Sequence, residues 1–191
     1  MDRSVTGAGG PVRRAALALL LILLLAGCGG GAEEAPAHNE ADAMFLQMSL
    51  AQIAEGQQVA AVAEERAANP ELRAVAAELL GQWRTESDTM RSWLLSWQRP
   101  IEADPSAGVH AGHGDLHSLR DEDLAALRSA RGADFDRTAV ALLLGNLHNG
   151  VETMRMESAD GAYPPAVKLA GEMTATRQGQ IQRLLALASA S

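Results

Sequence analysis

A stretch of about twenty residues occurs twice in this chain. Val75–Leu94, VAAELLGQWRTESDTMRSWL, returns in diverged form as Leu169–Ala188, LAGEMTATRQGQIQRLLALA. One ungapped shift of 94 pairs Ala76 with Ala170, Pro70 with Pro164, Gly56 with Gly150, Asp42 with Asp136 and Glu78 with Glu172. A duplicated unit constrains the fold strongly: whatever one copy forms, the other forms too, and the two must bury their apolar faces together.

That unit reads as helix. Aromatic residues make up 3% of the chain while Ala and Leu are abundant, which favours helix over strand. From Asn39 to Arg66, the residues Phe45, Leu46, Met48, Leu50, Ile53, Val59 and Val62 recur at steps of three and four. Gly56 inside this run implies a closely approaching neighbour, because a helix-interior Gly costs roughly 1 kcal/mol against Ala. Asn69-Pro70-Glu71 carries the signals of a helix start, with a capping Asn, a first-turn Pro and an acid at the positive end of the dipole. The second helix then runs to about Trp97 on a stripe of Leu72, Val75, Ala76, Leu79, Trp83, Met90, Trp93 and Leu94. A connector rich in Gly, Pro and His, Ile101–Ser118, leads to a short helix at Arg120–Ala130, for which Gly132 reads as the stop. A third long helix follows at Phe135–Ser158 with Val140, Leu144, Leu147 and Val151 as its buried face. A fourth reaches from Tyr163-Pro164-Pro165 to about Ala188. The pattern predicts an all-α fold, a ferritin-like four-helix bundle of two duplicated hairpins, with the connector and short helix between them.

The first 27 residues read as a signal peptide. Arg3, Arg13 and Arg14 precede the apolar run Ala15–Ala26, which is short for a membrane span and suited to a signal core. It ends in Leu25-Ala26-Gly27-Cys28, which resembles a bacterial lipobox. Cys28 would then carry acyl chains as the first mature residue, and residues 28–38 would form a flexible tether to a domain at 39–191, with halves at about 39–99 and 133–189. Cys28 is the one cysteine, so no internal disulfide can form. The expected location is the cell membrane or outer membrane, lipid-anchored and facing away from the cytoplasm. A net charge of −8 with no basic cluster in the exported part argues against nucleic-acid binding.

The sequence holds few signs of catalysis. It contains no Glu-x-x-His for a di-iron bundle, no phosphate loop, no nucleophile elbow and no His-Glu-x-x-His. The expectation is a protein that is not an enzyme. His110, His113 and His117 in the connector form H-x-x-H-x-x-x-H, with Asp104 and Asp115 nearby, a set able to hold copper or zinc if the rings converge and otherwise a group of solvated loop residues. Met44/Met48 and Met154/Met156 offer thioethers to Cu(I), or fill core. Glu86 and Gln180, equivalent polar positions in apolar helices, line the bundle interior or lie on its surface.

These residues resemble the family catalogued as domain of unknown function 305. In that family each half resembles D-x-x-F-L-x-x-M-x-x-H-H followed by L-A-x-x-I-x-x-x-Q-x-x-E-I-x-x-M. The first half here reads Asp42, Phe45, Leu46, Met48, then Val75-Ala76, Leu79, Glu86, Met90 and Trp93-Leu94. The second reads Phe135-Asp136, then Leu169-Ala170, Met173, Gln180-Ile181 and Leu184. The resemblance spans roughly Asn39–Leu187. It implies a ferritin-like bundle, export and, for some members, copper or other metal handling. The paired histidines fall on Gln52-Ile53 and Asn146-Leu147, where this chain has an amide and an aliphatic in each half. Two functions remain open: a membrane-anchored protein that binds or handles copper, and a non-catalytic envelope interaction protein that has lost the family's metal site. The sequence names neither protein partner nor oligomeric state.

Overall fold

The computed structural model describes residues 37–103 and 119–190. The order is α1 (Glu40–Arg66), α2 (Pro70–Ser96), α3 (Asp121–Ser129), α4 (Gly132–Asp160) and α5 (Pro164–Ala190). Cys28 and the connector histidines lie outside the described residues.

The helix starts follow from local chemistry. Asn39 and Asp42 form a capping box: the Asp42 N–H donates to Asn39 Oδ1 at 3.0 Å and the Asn39 N–H to Asp42 Oδ2 at 2.6 Å. Asn69 accepts from the N–H groups of Glu71 and Leu72, with Pro70 in the first turn, as its sequence signals. Arg120 and Asp123 open α3. Gly132 differs from its reading as a stop. It is the first residue of α4, at φ +54, where a side chain would be strained, and α4 begins three residues earlier than the periodicity suggests.

The long helices share one core. α1 packs along α2 and α4, and α4 along α5, whereas α2 and α5 meet at only a few points. Ala43, Ala60, Ala63, Ala76, Ala139, Ala166 and Ala170 are all buried, which lets the backbones approach closely. Gly56 shows how closely: a Cβ there would stand 2.5 Å from the Trp83 ring and 2.6 Å from Asn146 Oδ1. Leu143, not Leu144, is the fully buried member of the α4 stripe, and Leu144 is only partly covered. The α2–α5 seam is polar. Arg183 of α5 pairs with Glu71 and Glu78, Gln180 donates to Gln82 at 2.7 Å, and Arg177 pairs with Glu86.

The duplication is written into the hydrogen bonds. Asp136, at the start of α4, accepts from the N–H groups of Ala68 (2.9 Å) and Asn69 (2.8 Å) in the α1–α2 turn. Its counterpart Asp42 accepts from Ala162 (3.1 Å) and Tyr163 (2.9 Å) in the α4–α5 turn. Exchanging the halves through the offset of 94 turns the first set into the second, so each half ties down the turn of the other.

Candidate functional site

The positions that carry paired histidines in the resemblance face the middle of the bundle. α1 brings Ser49, Gln52, Ile53 and Gly56 to one side of it, and α4 brings Asn146, Leu147, Gly150, Thr153 and Met154; both sets follow the three- and four-residue helical step. Trp83 enters from α2, and Met173 and Arg177 from α5. Most of these residues line a cavity of about 10 Å³, room for roughly one water molecule.

The polar groups there bond mainly to one another. Asn146 Nδ2 donates to the Gln52 carbonyl at 2.8 Å, joining two dyad-equivalent residues directly. Gln52 Nε2 donates to Thr153 Oγ1 at 2.8 Å. Ile53 and Leu147 are core residues. Arg177 is 2% exposed, ion-paired with Glu86, and its guanidinium lies 5.8 Å from the Trp83 ring centroid, a cation–π distance. Glu86 and Gln180 thus both line the interior, though each pairs with a different residue, Arg177 and Gln82 respectively.

This arrangement does not fit a metal. Amides are poor ligands for soft or borderline ions, and the thioethers of Met154 and Met173 share the cavity with a fixed positive charge. Among the described residues, no three His, Cys, Asp or Glu side chains gather to hold an ion. His148 is exposed, with Nδ1 2.7 Å from the Leu144 carbonyl, and takes no part in the interior. Met44, Met48 and Met156 are partly buried, and Met154 is core. Whether His110, His113 and His117 converge falls outside the described residues, as do Asp104, Asp115 and Cys28.

A second polar cluster lies at the end of the bundle where α1 begins. Asp42 is fully buried, Glu157 is 1% exposed, and both Glu157 oxygens are buried with no other hydrogen-bond partner, which leaves the Asp42 carboxyl as the group a proton on Glu157 would reach. Burial foremost, then the hydrogen bond with Asp42 and its negative charge, pushes Glu157 up to about 8. Burial also opposes the charge on Asp42, but the N–H groups of Asn39, Tyr163 and Ala162 and the Glu157 carboxyl outweigh it and hold Asp42 below its ordinary range. Glu157 is therefore the protonated donor and Asp42 the carboxylate. Gly161 makes room for this: a Cβ there would stand 2.5 Å from Glu157 Oε1.

Neither Arg177 nor Glu157 stands out in the helical stripes. The signals were present all the same. Arg177 is the repeat partner of Trp83, and Glu157 falls three residues after Met154 on the apolar face of α4.

Fold and site together define an all-α bundle of two duplicated hairpins, with an interior of amides, aliphatic side chains and one ion pair. The chain belongs to the family described as Domain of unknown function (DUF305), whose profile matches residues 42–188. A DUF305 fragment from Deinococcus radiodurans is similar at 19% identity and a TM-score of 0.70, covering 82% of this chain and 100% of that one. A DUF305 protein from Streptomyces coelicolor is similar at 18% identity and a TM-score of 0.71, covering 77% and 91%. CopM in its Cu(II)-bound form is similar at 22% identity and a TM-score of 0.66, covering 78% and 95%. At these identities the likeness establishes the fold alone. No curated relative matches the sequence.

Proposed function

We propose that this protein is an exported lipoprotein, held on a membrane surface by acyl chains on Cys28, whose bundle is a non-catalytic interaction scaffold with an interior closed to metal. The observation that carries this reading is Arg177. A buried guanidinium paired with Glu86 borders the cavity onto which the family's histidine positions open, and those positions hold Gln52, Ile53, Asn146 and Leu147. A cation entering there would meet a fixed like charge and no imidazole. The lipobox-like Leu25-Ala26-Gly27-Cys28 after a short apolar run supports attachment through acyl chains on Cys28. Palmitate labelling of cells expressing the chain and its Cys28→Ser variant tests the anchor: label in the first and none in the second is expected.

The solved copper- and silver-bound forms of CopM favour a second reading, copper handling. In this chain the role falls to His110, His113 and His117, since the bundle interior is unsuited to it. Titration with Cu(I), Cu(II) and Zn(II), beside a variant with all three histidines changed to Ala, separates the readings. Binding that disappears in the variant supports copper handling by the connector. Binding that survives places a metal in the bundle and refutes the closed interior. No binding beyond a weak surface interaction leaves the scaffold.

A further inference from the structure

The chain has six Phe, Trp and Tyr residues, and their distribution is uneven. Phe45, Phe135 and Trp83 are each 1% exposed. The three that remain partly exposed, Trp93, Trp97 and Tyr163, sit together at one end of the bundle. Tyr163 meets Trp97 edge-on at 5.0 Å and Trp93 at 5.4 Å, and His38 stacks flat on Trp97 at 4.2 Å. Leu95, in the last turn of α2, is 66% exposed. This is the end at which the chain enters: His38 directly precedes the cap of α1, and Asn39 Nδ2 donates to the Asp160 carbonyl at the end of α4. The C-terminal part of α5 lies at the opposite end, where Arg183 reaches Glu71 at the start of α2.

We propose that this aromatic end is the face on which the bundle rests against the lipid–water interface of the membrane that Cys28 anchors. The proposal rests on the lipoprotein reading. Trp and Tyr rings favour the headgroup level, where an apolar ring and a polar tip are both accommodated. Reach selects this end over the other. His38 lies ten residue steps after Cys28, and a chain spans at most about 3.5 Å per step, so the entering end stays within about 35 Å of the anchor. A helix of 27 residues is about 40 Å long, which puts the far end outside that leash when the bundle stands upright. The charges at this end point to a zwitterionic surface. Arg99 is paired with Glu40, and Glu102 and Asp160 add carboxylates rather than a basic patch. Contact is therefore aromatic and insensitive to salt.

The test uses the full acylated chain in phosphatidylcholine vesicles whose acyl chains are brominated near the headgroup. Trp emission should fall by up to the share of Trp93 and Trp97 among the three tryptophans, and the loss should persist in high salt. A fluorophore at the far end, through Ser189→Cys, should keep its emission. Flotation with the vesicles but unchanged Trp emission overturns the docking while leaving the anchor intact, and so does quenching of the far-end probe. A chain that neither floats nor carries acyl mass on its Cys28 peptide overturns both the docking and the lipoprotein reading.

Discussion

The Glu157–Asp42 pair makes stability depend on pH in a direction opposite to that of an ordinary paired carboxylate. Glu157 titrates near 8 in the fold and near 4.5 in the unfolded chain. Between those values the native state holds a proton that the unfolded state has released, so stability falls as pH rises through this window. The contribution is complete below about 4.5 and lost above about 8. At about 1.4 kcal/mol per pH unit the interval sets a ceiling of about 5 kcal/mol, and relaxation around a newly charged Glu157 reduces the expected loss to about 2 kcal/mol. Asp42 acts the other way: its lowered pKa adds stability above about 3.8 that is lost as pH falls through the folded value. Glu55, raised by burial and only partly offset by the Leu119 N–H, adds a slope of the same sign as Glu157, so the wild-type curve alone cannot assign the effect. Glu157→Gln isolates it, because an amide donates to Asp42 at every pH. Urea unfolding at pH 5, 7 and 8.5 should show the variant within about 1 kcal/mol of wild type at pH 5 and about 2 kcal/mol more stable at pH 8.5, at an unchanged denaturant slope. Parallel curves for the two proteins would refute a shared proton.

Four further outcomes follow from the packing. Gly56→Ala should lower the urea midpoint by the equivalent of about 1–3 kcal/mol, since its Cβ meets Trp83 and Asn146, whereas Gly171→Ala, with nothing within 4 Å, should raise stability by about 0.5–1 kcal/mol. In thermal melts Asp42→Ala should cost about 3 kcal/mol and Asp136→Ala about 1 kcal/mol, because Asp42 is the more buried of the two and also accepts from Asn39 and Glu157. Arg177→Ala should cost about 3–5 kcal/mol by leaving Glu86 unpaired, while the double change Arg177→Met with Glu86→Leu should stay within about 2 kcal/mol of wild type. Arg183→Ala, at a partly exposed pair, should cost no more than about 1 kcal/mol by the same assay, and less in high salt.

The helix start at Asn69 was legible because capping is local: an Asn side chain, a following Pro and an acid act within one turn. The Gly56 contact was legible because its cost in an isolated helix demands a neighbour. Leu143 displaced Leu144 in the core because α1 and α5 both pack on α4, so the covered face is wider than a stripe anchored on one copy of the repeat. Arg177 was hidden for a related reason. Periodicity detects apolar residues on a buried face, and a buried guanidinium is intelligible only once Glu86 and Trp83 are known to stand beside it. Glu157 likewise gains meaning from Asp42, more than a hundred residues earlier in the chain.

The crossed aspartates have a historical consequence. Asp42 stands at the opposite end of α1 from its own hairpin turn, about 40 Å away for a helix of 27 residues, so it cannot hold that turn. A lone ancestral hairpin bearing this aspartate would have found its missing acceptor only on a second copy of itself, related by a two-fold axis. Fusing the two copies through a linker would join both halves in one chain without altering a contact, and it would free each half to diverge. The difference between Trp83 and Arg177 at equivalent positions of the repeat is one that strict two-fold symmetry would have forbidden.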